Sequence, residues 1–189
     1  MEAVRAYLGL GSNLGQREEN LAAAIQGLSG GPVRSRVHPP GDSTQAADAI
    51  KVLRSSAIYQ TSPWGLKEQP DFLNCVLEVE TQLSPEGLLA CAKAVEENLG
   101  RQPGVRYGPR LIDIDILLFG DEVVEQRDLQ IPHPRLHLRA FALIPLAELE
   151  PDLVHPVINL PVGRLAEKVD GQEGVQIWGP PPVVATAGS

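Results

Sequence analysis

The sequence predicts an α+β fold with the order strand, helix, strand, strand, helix, strand, and three observations carry that prediction. Residues 4–11 (VRAYLGLG), 51–61 (KVLRSSAIYQT), 72–83 (FLNCVLEVETQL) and 111–119 (LIDIDILLF) are apolar runs of strand length. Between the first two, Leu21, Ile25 and Leu28 recur at four- and three-residue spacing, which marks one face of a helix over about 16–29. Between the last two, Ser84-Pro85-Glu86 opens a second helix with a hydroxyl cap, a proline at the first helical position and an acid near the positive end. Leu88, Ala92, Val95 and Leu99 are its buried stripe, and Gly100 is its stop. This order is the split βαβ arrangement of ferredoxin-like folds.

The elements follow in turn. Glycines are expected to end the first strand. Residues 30–49 are rich in Gly, Pro, Ser and small polar residues and read as a long inserted surface loop. In the third strand Leu73, Cys75, Leu77 and Val79 alternate with Asn74, Val76 and Glu78. After the 111–119 strand, Gly120-Asp121 turns into the valines at 123–124. A helix near Ala140–Leu149 is expected to kink or break at Pro145. The tail GPPPVVATAGS is expected to be disordered. Neither an internal repeat nor a linker divides the chain into two cores.

At 189 residues, with 43% hydrophobic and 21% charged residues, the composition is that of a globular domain. No apolar run approaches the ~20 residues that span a bilayer. The N-terminus lacks the pattern of a secretory signal, so a cytoplasmic protein without membrane partners is expected. Cys75 and Cys91 are too few for a disulfide framework and read as buried thiols. A net charge of −8 argues against general nucleic-acid affinity. Yet Arg101, Arg106 and Arg110 fall between Glu97 and Asp113 with no acid among them, which suits a small polyanionic ligand.

That cationic stretch leads into RYGPRLIDIDILLFGD (106–121), where two aspartates interrupt an apolar strand. Alternation puts Leu111, Asp113, Asp115 and Leu117 on one face, and Ile112, Ile114, Ile116 and Leu118 on the core face. The two aspartate Cα atoms would lie roughly 6.6–7 Å apart. Unpaired, these carboxylates would repel, and burial would raise their pKa values. Divalent cations remove that cost, since Mg²⁺ is commonly held by one or two carboxylates plus substrate phosphates. The bland reading is a solvent-facing strand with two harmless acids; Arg106 and Arg110 just upstream favour a metal-and-phosphate site.

The stretches LGLGSNLG (8–15), YQTSPWG (59–65), QPDFLNCV (69–76), GRQPGVRYGPRLIDIDILLFGD (100–121) and IPHPRLHLRAFALIPLAEL (131–149) together resemble the 6-hydroxymethyl-7,8-dihydropterin pyrophosphokinase family of folate biosynthesis. The likeness covers about 1–160 apart from the 30–49 loop. It implies a single domain over 1–160 with a partly disordered extension over 161–189. It also implies a three-layer α/β/α fold on a mainly antiparallel sheet. Such enzymes transfer the terminal pyrophosphoryl group of ATP to the pterin hydroxymethyl oxygen and leave AMP.

By the same resemblance, Asp113 and Asp115 match the ligands of two Mg²⁺ ions, and Arg106 and Arg110 the arginines that meet the triphosphate. His133, Arg139 and Glu96 match contacts on the ATP side. Phe72 and Phe141 match aromatic faces that sandwich the pterin, although on their own both would read as core residues. Asn74 offers an amide to the heterocycle edge. Thr61 and Trp64 fall in a loop placed over the pterin. A monomer, or at most a weak dimer, is expected.

Three other readings are compatible with parts of the sequence. A palm-like, metal-dependent nucleotidyltransferase also places paired acids on a strand, but would release pyrophosphate rather than AMP. An RNA-binding module of similar topology expects a basic sheet face and an aromatic RNP motif, which the sequence lacks. A dinucleotide binder is suggested by Gly9, Gly11 and Gly15, but their spacing misses G-x-G-x-x-G.

Overall fold

The computed structural model describes residues 2–30, 49–63, 68–100 and 110–182. Trp64, Arg101, Arg106 and Tyr107, most of the 30–49 loop and residues 183–189 lie outside that set.

The sheet is antiparallel throughout the described pairings. Its order is β5 (Asp113–Phe119), β1 (Val4–Ser12), β4 (Phe72–Thr81), then β3 (Ile58–Thr61) and β8 (Val175–Gly179), with β2 (Ile50–Ser55) also paired to β4. With β2 and β3 counted as one, the first four positions are the 4-1-3-2 order of a ferredoxin-like core. Helices α1 (Arg17–Leu28) and α2 (Pro85–Asn98) supply its two crossovers. Ser84 Oγ accepts from the Gly87 amide at 3.2 Å to cap α2, and Gly100 ends it at φ +91°.

α1 and α2 cover one face of the sheet, where Leu21, Ile25, Leu88 and Val95 meet Leu8, Leu10, Leu73 and Ile114. The other face is covered by α3 (Ala140–Leu149) and α4 (Val162–Lys168), whose Leu143, Leu146 and Leu165 meet Tyr7, Val76 and Leu117. Each fully buried aliphatic side chain of this kind contributes about 1.5–3 kcal/mol. Burial on both faces is why apolar residues occur on both faces of β1 and β4, as with Tyr7 and Leu8 or Val76 and Leu77. Among the described residues no helix is long and apolar enough to cross a membrane.

Several expectations need correction. The 51–61 strand is two strands, because Ser56 breaks the ladder: its amide donates to Val76 O at 2.9 Å, and its hydroxyl replaces the carbonyl in accepting the Val76 amide at 2.9 Å. Glu148 of α3 then accepts the next amide, Ala57, at 3.0 Å and the Tyr59 hydroxyl at 2.7 Å. Leu118 does not share the face of Ile116. Tyr7 pairs with Leu118 but Leu8 with Ile116, so Leu117 is an extra residue and the alternation reverses after it. Strand β1 runs one residue past Gly11, to Ser12. Helix α3 is unbroken across Pro145. Cys75 is buried, as expected, but Cys91 only half so. α4 packs on α3 through apolar side chains such as Val162 and Leu165, and β8 pairs with β3.

Candidate active site

At the end of the sheet where α3 begins, β1, β4 and β5 leave a cleft of about 250 Å³. Its lining contains Asp113, Asp115, Arg110, His133 and Arg139 on one side, and Thr61, Phe72, Asn74 and Phe141 on the other. Nine expected site residues therefore converge. Arg106 and Trp64 lie outside the described residues.

The acidic side is built on β5. Asp113 pairs with Gly11 and Asp115 with Gly9 across the β1–β5 ladder. After β5 the chain forms a small antiparallel pair, β6 (Val124–Glu125) with β7 (Gln130–Ile131), and returns so that the His133 amide donates to Leu117 O at 2.9 Å. This brings His133 Nε2 to 4.0 Å from Asp115 Oδ2, and Arg139 Nη1 to 3.4 Å from the same oxygen. Burial first, and then the charge of Asp113, pushes the Asp115 carboxyl up to about 6, against a smaller opposing pull from Arg139.

Burial, reinforced by Arg139 and Arg135, depresses His133 to about 4, so its ring is neutral near pH 7. Its Nδ1 accepts from the Arg135 amide at 3.1 Å. His133 Nε2 and Arg139 Nη1 stand 3.3 Å apart beside the acidic corner. Groups of this kind can meet an anionic oxygen, and the N-terminus of α3 adds its amide dipoles.

The apolar side rests on glycine. A Cβ on Gly11 would stand 2.7 Å from Asn74 Oδ1, and one on Gly9 would press on Leu117 at 3.3 Å. Bare backbone at Gly11 lets the Asn74 amide lie across β1 while its Nδ2 donates to Thr61 Oγ1 at 2.6 Å. Asn74 is thus buried and committed, not a surface residue of its strand. Phe72 and Phe141 are only partly buried and line the cleft, while the Arg139 guanidinium lies 5.5 Å over the Phe141 ring.

Sequence reasoning missed Asn13. Its Oδ1 accepts the Arg110 amide at 2.7 Å, and its Nδ2 donates to Gln69 Oε1 and Pro70 O at 3.0 Å. It thereby joins the arginine segment to the segment that leads into Phe72. Glu96, expected on the ATP side, lies on α2 beside β5. It is fully buried on α2 and absent from the cleft lining, and its Oε1 accepts the Ile114 amide at 2.7 Å.

Among the described residues no cluster of three or more His, Cys, Asp or Glu is present, so the chain offers a closely spaced carboxylate pair rather than a closed metal cage. A raised Asp115 pKa beside a second carboxylate is the electrostatic signature of a site that a hard cation would relieve. The residues fit Mg²⁺ that shares its ligands with phosphate.

A sequence profile described as 7,8-dihydro-6-hydroxymethylpterin-pyrophosphokinase matches residues 7–151. The chain belongs to this family. The pyrophosphokinase of Aquifex aeolicus is 38% identical over 156 residues, covering 82% of this chain and 86% of that protein. The folic acid synthesis protein fol1 of Pneumocystis carinii is 39% identical over 163 residues, but this chain spans only 20% of its length. Among solved structures, Plasmodium falciparum HPPK-DHPS with pterin and p-hydroxybenzoate superposes with a TM-score of 0.68 at 17% identity, over 94% of this chain and 45% of that one. That likeness supports the ferredoxin-like fold. The family makes the chain an ATP-dependent pyrophosphokinase of folate biosynthesis.

Proposed function

We propose that the cleft binds ATP against Asp113, Asp115, Arg110, His133 and Arg139, and the pterin alcohol against Asn74, Phe72 and Phe141. The observation that carries this reading is the meeting of an acidic, donor-rich corner and a glycine-floored apolar wall in one cavity. Phe72 and Phe141 supply ring faces for stacking, and the Asn74 amide, anchored by Thr61, reads the polar edge of the heterocycle. By the resemblance, Arg106 would meet the triphosphate and Trp64 the pterin.

Asp113 and Asp115 would hold two Mg²⁺ ions, which, when bound, neutralise phosphate charge and make the substrate hydroxyl more acidic. The chain's own part is positioning. It holds the hydroxymethyl oxygen in line with the β-phosphorus; the new O–P bond forms as the bridge between the α- and β-phosphates breaks, and AMP leaves. Arg110, Arg139 and the neutral His133 donate to the oxygens that gain charge. With ATP and a soluble pterin as substrates, we place the enzyme in the cytoplasm as a monomer, and its domain includes α4 and β8.

Incubating the purified chain with ATP, Mg²⁺ and 6-hydroxymethyl-7,8-dihydropterin tests this reading. It expects AMP and the pterin diphosphate in equal amounts; ADP or free pyrophosphate as the nucleotide-derived product contradicts it.

A further inference from the structure

We propose that Glu96 is a positioning residue for the Asp113–Asp115 pair and acts through the Ile114 amide, without touching nucleotide. The proposal rests on the reading of those two aspartates as metal ligands.

Among the described residues β5 is the edge of the sheet, with β1 as its only strand neighbour in the main sheet. Ile114 lies between the two aspartates and opposite Leu10, and it is fully buried. Its N–H points to the open edge, where no strand follows to accept it, and a buried amide left without a partner is costly. Glu96 reaches over from α2 and accepts that proton at 2.7 Å. Lys93, one turn earlier, balances the buried charge at 3.1 Å.

The location makes this bond consequential. Regular strand begins only at Asp113, so both carboxylates sit on the first three residues of an edge strand, where fraying is easiest. Fixing the Ile114 amide fixes the peptide plane that joins Asp113 to Ile114, and with it the directions of the flanking side chains. A charge-assisted hydrogen bond is about twice as strong as a neutral one, which suits a tether at a frayed end. The burial of Glu96 behind the strand separates this role from a direct ATP contact.

The test compares Glu96→Leu with Glu96→Gln, because only glutamine keeps an acceptor for the Ile114 amide. Binding of Mn²⁺ with α,β-methylene-ATP and binding of the pterin alone are measured separately by calorimetry. Glu96→Leu is expected to weaken the Mn²⁺–nucleotide by about tenfold, while pterin binding stays within about twofold. Glu96→Gln is expected to restore nucleotide binding to within about threefold. An unchanged nucleotide affinity in Glu96→Leu overturns the proposal. So does equal loss of both ligands, which marks a general structural role, and so does a Gln variant as damaged as Leu, which marks a charge effect.

Should the Leu variant not fold, the unaltered metal-free protein still decides. A scalar coupling across the hydrogen bond, from the Ile114 nitrogen to the Glu96 carboxylate carbon, is expected, and its absence with a rapidly exchanging Ile114 amide overturns the tether. Failure of the underlying metal reading appears elsewhere, as Asp113→Asn and Asp115→Asn variants that bind the Mn²⁺–nucleotide normally.

Discussion

Arg139 Nη1 stands 3.4 Å from Asp115 Oδ2, which makes this guanidinium the principal cation facing a carboxylate that burial and a second aspartate disfavour. Its pull is smaller than either of those effects, so Asp115 keeps a high affinity for protons and, by the same electrostatics, for divalent cations.

The first prediction concerns pH. Asp115 titrates near 6 in the folded protein, against 3.8 ordinarily, so the native state binds its proton more tightly than the unfolded state. The stabilisation this gives the metal-free protein is complete below about 4 and is lost as pH rises through about 6. Urea melts at several pH values, taken as the difference between wild type and Asp115→Asn, should show that loss. Mn²⁺ binding should run oppositely, weakening as pH falls below 6, because proton and cation compete for one carboxylate. Asp113→Asn should lower the Asp115 pKa part of the way, leaving the burial contribution.

His133 gives a second. Its pKa near 4 keeps it neutral through the working range, so NMR titration should find no His133 transition between pH 6 and 8. Arg139→Met removes the second largest cause and should move the transition upward, though short of 6.5, because burial is the largest.

Gly11 gives a third. Gly11→Ala places a methyl 2.7 Å from Asn74 Oδ1, and the amide cannot retreat without losing its 2.6 Å bond to Thr61. Overpacking of this kind costs about 1–3 kcal/mol. Steady-state kinetics should show the pterin KM raised by roughly tenfold, with the ATP KM little changed.

The fourth concerns stability away from the cleft. Glu78 is buried on β4 and paired with Arg5 at 3.1 Å and with Arg54, both of which are largely exposed. Removing both arginines strands a buried charge, which costs up to about 3–5 kcal/mol. Glu78→Leu instead leaves two arginines free to hydrate. Urea denaturation should therefore rank the double Arg5→Ala, Arg54→Ala variant below Glu78→Leu.

The sequence made the aspartate pair legible because period-two alternation is local, and Asp113 and Asp115 precede the bulge. Leu118 follows it and was misplaced: nothing in ILLF distinguishes the extra residue, which is set by pairing with β1. The break at Ser56 was hidden for a related reason, since its ladder is completed by a hydroxyl and by Glu148 from a distant helix. Glu96 lies within the polar run EEN, and its burial comes from α2 packing beside β5, which no local pattern signals. Gly9 and Gly11 fall inside the 4–11 stretch, and what they make room for is not local, since it comes from side chains of β4 and β5. Residues 175–179 looked like tail because a short edge strand has little pattern of its own apart from its partner, β3.

Anomalous diffraction from crystals grown with Mn²⁺, α,β-methylene-ATP and the pterin alcohol tests the central claim most directly. The account predicts two peaks about 3.5–4 Å apart, both bound by Asp113 or Asp115 and by phosphate oxygens. Nucleotide in the cleft with both aspartates remote from any peak would contradict it.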